Sequence, residues 1–388
     1  MIDRTSDIRE EKIFLIAYVL WMIDAIVGIT MWNDVEIIKI ACDFMQRSAY
    51  ILLVIQFLLK KQYTKKDVIG VFLIIFICFL GYHSVYNKYI IHTMILVYMS
   101  ANVDFRKILR CTLVLHGAFM IITIYASHME VIENVIWDSD STRIRQSLGY
   151  DYCGYPAHIM LFMTLAWFCL RKKAHFIDTV ILFLINFWIY CMTDSRADFY
   201  LALLAILGFV LKKNRIRLPC YMKYGFVFVS FFSIIIHGAY GFGIGILDKA
   251  NSILSNRLYY GFQAIRNYRL NLFGTEIRWV GQGGLKSNPD LVYNYVDCAY
   301  VKEIYSFGII FWILLMLGFY FLSKRLEHIE QNKYYSWAIL ITLFYSVINA
   351  HLSMVVFDVM FLLLGNVFSN TMKIGVYRDK AEKTLHFP

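Results

Sequence analysis

The residues in this chain that could do chemistry are arginines grouped in a few segments. A guanidinium group is always charged and can hold a phosphate or carboxylate group through two parallel hydrogen bonds. The arginines placed to act in this way are Arg47, Arg143, Arg145, Arg196, Arg257, Arg266, Arg269 and Arg278. The alternative is pairing with anionic lipid headgroups or with acidic residues, such as Asp138, Asp140, Asp194 and Asp198. As a set, these arginines predict an anion-binding site.

Three of the arginines lie in or beside a predicted amphipathic helix that Asn251 or Ser252 could cap. Its apolar stripe has spacings of four, four and three residues and consists of Leu254, Leu258, Phe262 and Ile265. This pattern predicts a helix at the membrane surface. Arg266 and Arg269 share one face of the helix, whereas Arg257 points the other way. We therefore expect that the three do not bind one phosphate group together.

Asp297 stands at the predicted outer mouth of a membrane span, where a carboxylate is costly unless it is paired or used. Three interpretations stay open: a general base, a partner for an outer arginine, or a solvated loop acid. His351, in the last predicted outer turn, is the histidine best placed to assist as a base.

Other ionisable residues predict structural roles. Asp43 and Arg47 are four residues apart and could pair on one helix face. Several buried acids and histidines are expected to have polar partners inside the bundle: Asp24, His92, His116, His158 and Asp358. The eight cysteines include no Cys-x-x-Cys pair, and no Asp-x-Asp or His/Cys cluster marks a metal site. A disulfide between Cys153 and Cys298 is an open alternative.

The elements that must position these residues are membrane helices. The chain has 59% hydrophobic and 17% charged residues and a mean hydropathy of +0.56, which excludes an ordinary soluble domain. Apolar runs of about 17 to 25 residues recur, each long enough to cross the bilayer as a helix. The net charge of +10 does not predict nucleic-acid binding, because the charges lie at span ends.

The apolar runs predict an all-α bundle of about twelve membrane spans, with eleven to thirteen as the range. They are 13–31, 36–59, 67–86, 89–103, 107–127, 156–170, 176–192, 198–211, 222–240, 299–322, 336–350 and 355–372. The first run lacks a cleavage pattern and is predicted to be retained. Alternate connections hold 25 of the 38 lysines and arginines, which predicts cytoplasmic N and C termini. The arginines above are then retained on or near the outer side.

This topology divides the chain into three parts. Residues 1–240 hold nine spans and an outer loop at 128–155, residues 241–298 form a large extracytoplasmic loop, and residues 299–388 hold three spans and a cytoplasmic tail. A long folded insertion in a compact bundle is usually functional. The glycines at 281–284 predict a flexible link, because a phosphate loop would also need a lysine and a hydroxyl.

Four short motifs occur in a recognisable order. They are residues 143–150 (RIRQSLGY), residues 194–197 (DSRA), Arg257 ahead of 272–274 (LFG), and 297–300 (DCAY) followed by 305–310 (YSFGII). In their order, their spacing and their side of the membrane, the motifs resemble those of the bacterial oligosaccharide-repeat polymerases of the Wzy type, which are relatives of the O-antigen ligases. The resemblance is best over the second half of the chain and implies a GT-C-like membrane fold.

The resemblance implies glycosyl transfer from a polyprenyl-diphosphate-linked oligosaccharide, at the outer face of the bacterial cytoplasmic membrane, without cofactor or metal. It implies Asp297 as the base and Arg196 and Arg257 as the main diphosphate ligands. Further substrate contacts are expected from Arg143, Arg145, Arg266, Arg269, Arg278, Tyr300 and His351. The implied partners are lipid-linked donor and acceptor, membrane lipids, a flippase and a chain-length regulator.

Three other functions remain as alternatives. A ligase that moves finished glycan to another acceptor would use the same motifs. A flippase or other transporter could also be multi-span and arginine-rich, but the long folded loop and the lack of matching broken-helix halves count against it. A membrane acyltransferase would need a His-Asp constellation, and the sequence shows no convincing one.

Overall fold

The computed structural model describes residues 4–60, 63–83, 89–139, 143–171, 175–211, 223–282, 290–327 and 333–369, together with Met372 and Ile374. Helix makes up 76% of the structure, and strand is almost absent. Long apolar segments form helices because a helix satisfies its own backbone hydrogen bonds in lipid.

Thirteen α-helices are named here within the described residues. They are α1 Arg4–Val27, α2 Glu36–Leu58, α3 Lys65–His83, α4 Tyr89–Met99, α5 Phe105–His128, α6 Tyr155–Leu170, α7 Phe176–Thr193, α8 Arg196–Leu211, α9 Gly225–Ala239, α10 Gly245–Ile253, α11 Arg257–Asn267, α12 Ala299–Glu327 and α13 Lys333–Ile348. Short 3-10 turns stand at Met31–Asp34 and Tyr240–Phe242, and a longer 3-10 helix runs over Val359–Phe368.

Membrane character is visible in the lengths and compositions of these helices. In the described part of the chain, four helical segments are long and apolar enough to cross a membrane: Phe105–His128, Phe176–Thr193, Gly225–Phe242 and Ala299–Glu327. Four shorter apolar helices are Tyr89–Met99, Tyr155–Leu170, Tyr334–Ile348 and Val359–Phe368. The prediction of a helical membrane protein is therefore confirmed at this level.

The predicted span at 355–372 differs from the structure. Residues 349–358 are not helical, and a 3-10 helix over Val359–Phe368 takes the place of the predicted α-helix. Asp358 caps this helix, because its carboxylate accepts a hydrogen bond of 3.0 Å from the Met360 N–H. The 3-10 helix packs against α4 and α12, so its position in the bundle is fixed by buried side chains.

The segments predicted to lie outside meet at one end of the bundle. The turn after α1 contacts the 128–155 loop, where the Met31 N–H donates to the Gly149 carbonyl at 2.9 Å. The same loop reaches the end of α7, where Arg145 Nε donates to the Thr193 carbonyl at 2.9 Å. These contacts bring the predicted outer loops into one assembly.

Segments predicted to be cytoplasmic meet at the other end. Lys66 Nζ donates to the Ser369 carbonyl at 3.1 Å, which joins α3 to the end of the 3-10 helix. The Arg106 guanidinium donates to the Leu170 carbonyl at 3.3 Å, which joins α5 to α6. The tail from residue 375 onward, most of the 212–223 connection and the glycines at 283 and 284 lie outside the described residues.

A small β-hairpin forms in the 128–155 loop. Strands β1 Ile136–Ser139 and β2 Arg143–Gln146 pair antiparallel, with Trp137 opposite Arg145. The all-α prediction did not include it.

The large loop contains two short helices instead of the predicted single one. α10 ends at Ile253, and α11 begins at Arg257. The break holds Ser255 and Asn256 in left-handed backbone conformations. Leu254 therefore lies in the break and not on the predicted stripe. Asn251 is not the N-cap residue that was predicted, because it lies inside α10 and Asn256 is the N-cap of α11. Its side-chain oxygen accepts a hydrogen bond from the Tyr259 N–H of α11 at 3.0 Å.

α12 is interrupted at Gly308, whose φ of 88° and ψ of 169° are not helical. The loop segment 271–275 fills the interruption. The Ile309 and Ile310 N–H groups, freed by the break, donate to the Asn271 and Leu272 carbonyls at 3.1 and 3.2 Å. A break in an apolar helix is tolerated where other groups satisfy the backbone in this way.

Candidate functional site

Arg257 and Asp297 form an ion pair in the large loop, at 3.2 Å between Nε and Oδ2. Arg257 is the first residue of α11, and Asp297 lies two residues before α12. The side chains are 25% and 32% exposed, so both are within reach of a ligand. The structure therefore shows the second of the three interpretations of Asp297, that of a partner for an outer arginine.

Arg145 and Tyr152 bring the hairpin loop to this pair. The Arg145 guanidinium carbon lies 5.7 Å from the centre of the Tyr152 ring, within the range of a cation–π contact. Burial raises the pKa of the Tyr152 hydroxyl, and the Asp297 charge also raises it while Arg145 lowers it. Tyr152 is thus close to both groups, and one cation from each outer loop borders the site.

Tyr295 links this surface to a deeper group of polar side chains. Its hydroxyl accepts a hydrogen bond from Lys302 Nζ at 3.1 Å and lies 3.3 Å from His351 Nε2. Burial raises the pKa of Tyr295, and the charge of Asp297 adds to that effect. His351, predicted as an auxiliary base, is therefore brought near the Asp297 region through Tyr295.

His158 and Asp198 form a buried pair beneath the outer loops, at 2.7 Å between Nδ1 and Oδ1. Asp198 also accepts from Ser195 Oγ at 2.7 Å and from Asn349 Nδ2 at 3.3 Å. Three elements thus converge on one carboxylate: α6, the α7–α8 junction and the end of α13. The prediction that His158 is satisfied inside the bundle agrees with this network.

The two polar groups are neighbours. The rings of His158 and His351 lie 5.1 Å apart between centroids, and Tyr155 packs edge-on against His351 at 5.8 Å. In the described part of the chain, His351 Nδ1 is buried and has no hydrogen-bond partner. The site therefore extends from the Arg257–Asp297 pair at the surface to the His158–Asp198 pair inside.

Sequence reasoning missed Lys302 and Glu303, which are 7% and 1% exposed. Both lie near the start of α12, and Glu303 interacts electrostatically with Lys302 and Ser353. Its carboxylate oxygens make no hydrogen bond of normal geometry among the described residues. The sequence could have revealed them as two adjacent charged residues inside an apolar run. Ionisable residues in a membrane span usually have a function.

Arg196 lies apart from the Arg257–Asp297 pair. Its guanidinium hydrogen-bonds to both carboxylate oxygens of Asp194, at 3.2 and 3.4 Å, and the side chain is 56% exposed. Asp194 ends α7 in a left-handed conformation and also interacts electrostatically with Arg145. Arg145 and Arg196 therefore share the charge of one aspartate, and among the described residues no contact joins Arg196 to Asp297.

Other predicted substrate residues divide into exposed and buried positions. Arg266, Arg269 and Arg278 are exposed on the large loop. The backbone of Arg143 forms part of β2, whereas its side chain lies outside the described part of the structure. The prediction for Tyr300 needs correction: the side chain is fully buried and its hydroxyl donates to the Leu343 carbonyl at 3.1 Å. It joins α12 to α13 in the core.

Two further expectations are corrected. Cys153 and Cys298 are buried free thiols, so the disulfide alternative is wrong. Asp43 and Arg47 are both exposed on α2, and they form no ion pair with each other in the described structure. Among the described residues, no group of three or more His, Cys, Asp or Glu side chains could hold a metal ion.

The arrangement can bind an anion and exchange a proton. Arg145, Arg257 and Lys302 supply positive charge, while Asp297 and His351 can accept a proton. Comparisons of the chain with models of protein families, with curated proteins and with solved structures found no match.

Proposed function

We propose that this chain is a membrane glycosyltransferase that polymerises oligosaccharide repeat units carried on polyprenyl diphosphate. The observation that carries the proposal is the partly exposed Arg257–Asp297 ion pair, bordered by Arg145 and tyrosine side chains. It combines a base with cations, which is what transfer from a lipid diphosphate to a sugar hydroxyl requires.

The proposed reaction forms one glycosidic bond and breaks the bond between the anomeric carbon and the diphosphate oxygen. The acceptor hydroxyl attacks the anomeric carbon as its proton passes to Asp297. The bonding electrons leave with the lipid diphosphate, whose growing negative charge is stabilised by Arg257 and Arg145. No cofactor is required by this scheme.

The Arg257–Asp297 ion pair also gives a reason why the lipid-linked donor must be bound before transfer begins. While Arg257 is bonded to Asp297, the carboxylate Oδ2 oxygen is occupied as a hydrogen-bond acceptor. A diphosphate that binds to Arg257 would compete with Asp297 for the guanidinium group. The carboxylate oxygen would then be released to accept the proton of the acceptor hydroxyl only when donor is present, which limits transfer to the loaded site.

The proposal includes a topology of about twelve spans with cytoplasmic termini and the site at the outer face of the bacterial cytoplasmic membrane. The contacts at the two ends of the bundle support it, because predicted outer segments meet at one end and predicted cytoplasmic segments at the other. The proposed partners are donor and acceptor lipids, a flippase that supplies them and a regulator of chain length.

The decisive experiment uses the purified full chain in lipid nanodiscs with polyprenyl-diphosphate-linked repeat units. The expected result is a ladder of glycans that differ by one repeat. Arg257→Gln should abolish the ladder, whereas Arg171→Gln, at the opposite end of the bundle, should leave it intact. Transfer of one glycan to a different lipid acceptor would favour a ligase. Consumption of donor without longer glycans would overturn the polymerase proposal.

A further inference from the structure

α10 exposes two large apolar side chains to its surroundings. Ile246 and Ile253 are 73% and 81% exposed. They are seven residues apart, so they lie on one face of the helix, with Lys249 at its edge. The exposed side of α10 therefore carries an apolar stripe beside the exposed Asp248, Lys249 and Ser252, and that stripe has no cover among the described residues.

The inward side of α10 carries one buried polar residue, Asn251, beside the half-buried Leu247 and Ala250. Asn251 is 6% exposed and makes three hydrogen bonds. Its amide nitrogen donates to Asn256 Oδ1 at 3.0 Å and to the Tyr240 hydroxyl at 3.4 Å, and its oxygen accepts from the Tyr259 N–H at 3.0 Å. These bonds fix the rotation of α10, so the outward direction of its isoleucines is set by the fold.

The exposed apolar surface continues from α10 to the preceding membrane helix. Phe232 and Ile235 of α9 are each 63% exposed, and α9 belongs to a segment long and apolar enough to cross a membrane. Phe242, between α9 and α10, is 83% exposed. An apolar surface that is continuous with a membrane-spanning face meets the same solvent, which is lipid.

We infer that α10 lies in the interfacial layer of the bilayer and attaches the large loop to the membrane. Ile246, Ile253 and Phe242 enter the boundary between headgroups and acyl chains, and Lys249 can extend to headgroup phosphates. The sequence pattern had assigned this role to the Leu258 stripe of α11. Leu258 is only 4% exposed, and α11 packs against α9 and α12, so α10 takes the role.

This inference does not rest on the proposed enzymatic activity. Membrane lipid is the proposed occupant, because the surface is continuous with α9 and a charged lysine borders it. Interfacial helices with this arrangement bind through buried apolar area together with attraction to phosphate groups. A second copy of the chain or another protein would cover the isoleucines from the side and exclude lipid.

The test places an environment-sensitive fluorescent amino acid, excited at longer wavelength than tryptophan, at single positions of the full chain in proteoliposomes. The positions are Ile246, Ile253 and, as matched control on another face of α10, Ser252. Phe232 in the middle of α9 serves as the deep reference. The lipids carry bromine either near the headgroup or near the end of the acyl chain.

At Ile246 and Ile253, the expected result is a blue-shifted emission that headgroup-proximal bromine quenches more strongly than chain-end bromine. Phe232 should show the reverse order, and Ser252 should show weaker quenching than its isoleucine neighbours. Red-shifted emission without quenching at both isoleucines would place α10 in water and overturn the inference. Blue-shifted emission without quenching would overturn it in favour of a protein occupant.

Discussion

Gly274 and Gly308 meet backbone to backbone where the large loop crosses the break in α12. Both have positive φ values, 87° and 88°. A Cβ on Gly308 would overlap the backbone of Leu272 and Gly274, and a Cβ on Gly274 would overlap the Ser306 carbonyl. The Thr275 N–H donates to the Tyr305 carbonyl at 3.0 Å across the same junction. The loop is thus attached to a membrane helix through backbone groups that need two glycines.

The first prediction is that Gly308→Ala destabilises the protein strongly. Its backbone conformation is open almost only to glycine, and strain of this kind costs about 1 to 3 kcal/mol before the steric overlap is added. We expect a clear fall in the thermal unfolding midpoint in detergent, measured by fluorescence. Proteolysis of the 271–275 segment should also become faster, because the loop can no longer fill the break.

Gly238→Ala is the matched control. Gly238 lies in α9, and a Cβ there would meet no atom within 4 Å. Replacement of a helical glycine by alanine is expected to be neutral or to stabilise by up to about 1 kcal/mol. If both variants unfolded at the same temperature, the proposed attachment of the loop through Gly308 would be wrong.

The second prediction concerns the transfer of the proton of the acceptor hydroxyl to Asp297. Asp297→Asn keeps the size of the side chain but removes the proposed base, so the rate of ladder formation should fall by about 100- to 10,000-fold. The ion pair is partly exposed, and we expect its loss to change the free energy of unfolding by only about 0 to 1 kcal/mol.

Glu276→Gln removes another carboxylate from the same loop, at an exposed position, and should leave the rate unchanged. Unfolding curves of both variants separate a lost base from a lost fold. An Asp297→Asn variant that elongates glycans at the full rate would remove Asp297 from the mechanism and leave His351 as the remaining candidate base.

The helices were predictable from sequence because lipid leaves a long apolar segment few alternatives to a helix. The exception at 355–372 depends on tertiary contacts. Asp358 caps a 3-10 helix there, and Gly365 approaches the Val97 carbonyl of α4 too closely for any side chain. The length of an apolar run in the sequence does not reveal such close packing.

The candidate site was predictable only in part. Asp297 and Arg257 had been identified from the side of the membrane and from motif order, but their pairing bridges forty positions. His158 and Asp198 also lie forty positions apart, on different helices. Periodicity describes one helix at a time, so it does not specify which helices bring their polar residues together.

The third prediction tests the buried network around Asp198. Asp198→Ala would leave the His158, Ser195 and Asn349 side chains without their shared acceptor. Each buried donor left without an acceptor typically costs about 1 to 3 kcal/mol. We expect the unfolding midpoint to fall well below that of Asp198→Asn, which retains an acceptor oxygen.

Asp248→Ala removes an exposed carboxylate from α10 and should unfold like the unmodified chain. Equal stability of Asp198→Ala and Asp248→Ala would contradict a structural role for the network. Activity measured at a temperature where all variants remain folded would show whether Asp198 also positions His158 for the reaction.

The fourth prediction concerns pH. Asp151 lies in the loop between β2 and α6, and burial raises the pKa of its carboxyl to about 6, with a further contribution from Asp34. The value in an unfolded chain is about 3.9. Above pH 6 the carboxyl is charged in both states, and its buried charge destabilises the fold. As the pH falls from 6 towards 4 the folded state takes up the proton first, so this group opposes folding less.

Asp151→Asn should therefore stabilise the protein at pH 7.5 by about 1 to 2 kcal/mol, after allowance for partial exposure. The stabilisation should shrink as the pH falls through 6. It should vanish below about 4, where the Asp151 carboxyl is neutral in the folded and in the unfolded chain. Unfolding midpoints of the two proteins across this range measure the difference. Asp34→Asn should give a smaller effect of the same sign, because it removes only the neighbouring charge. A stabilisation by Asp151→Asn that persisted unchanged at pH 4 would have another cause than the buried charge.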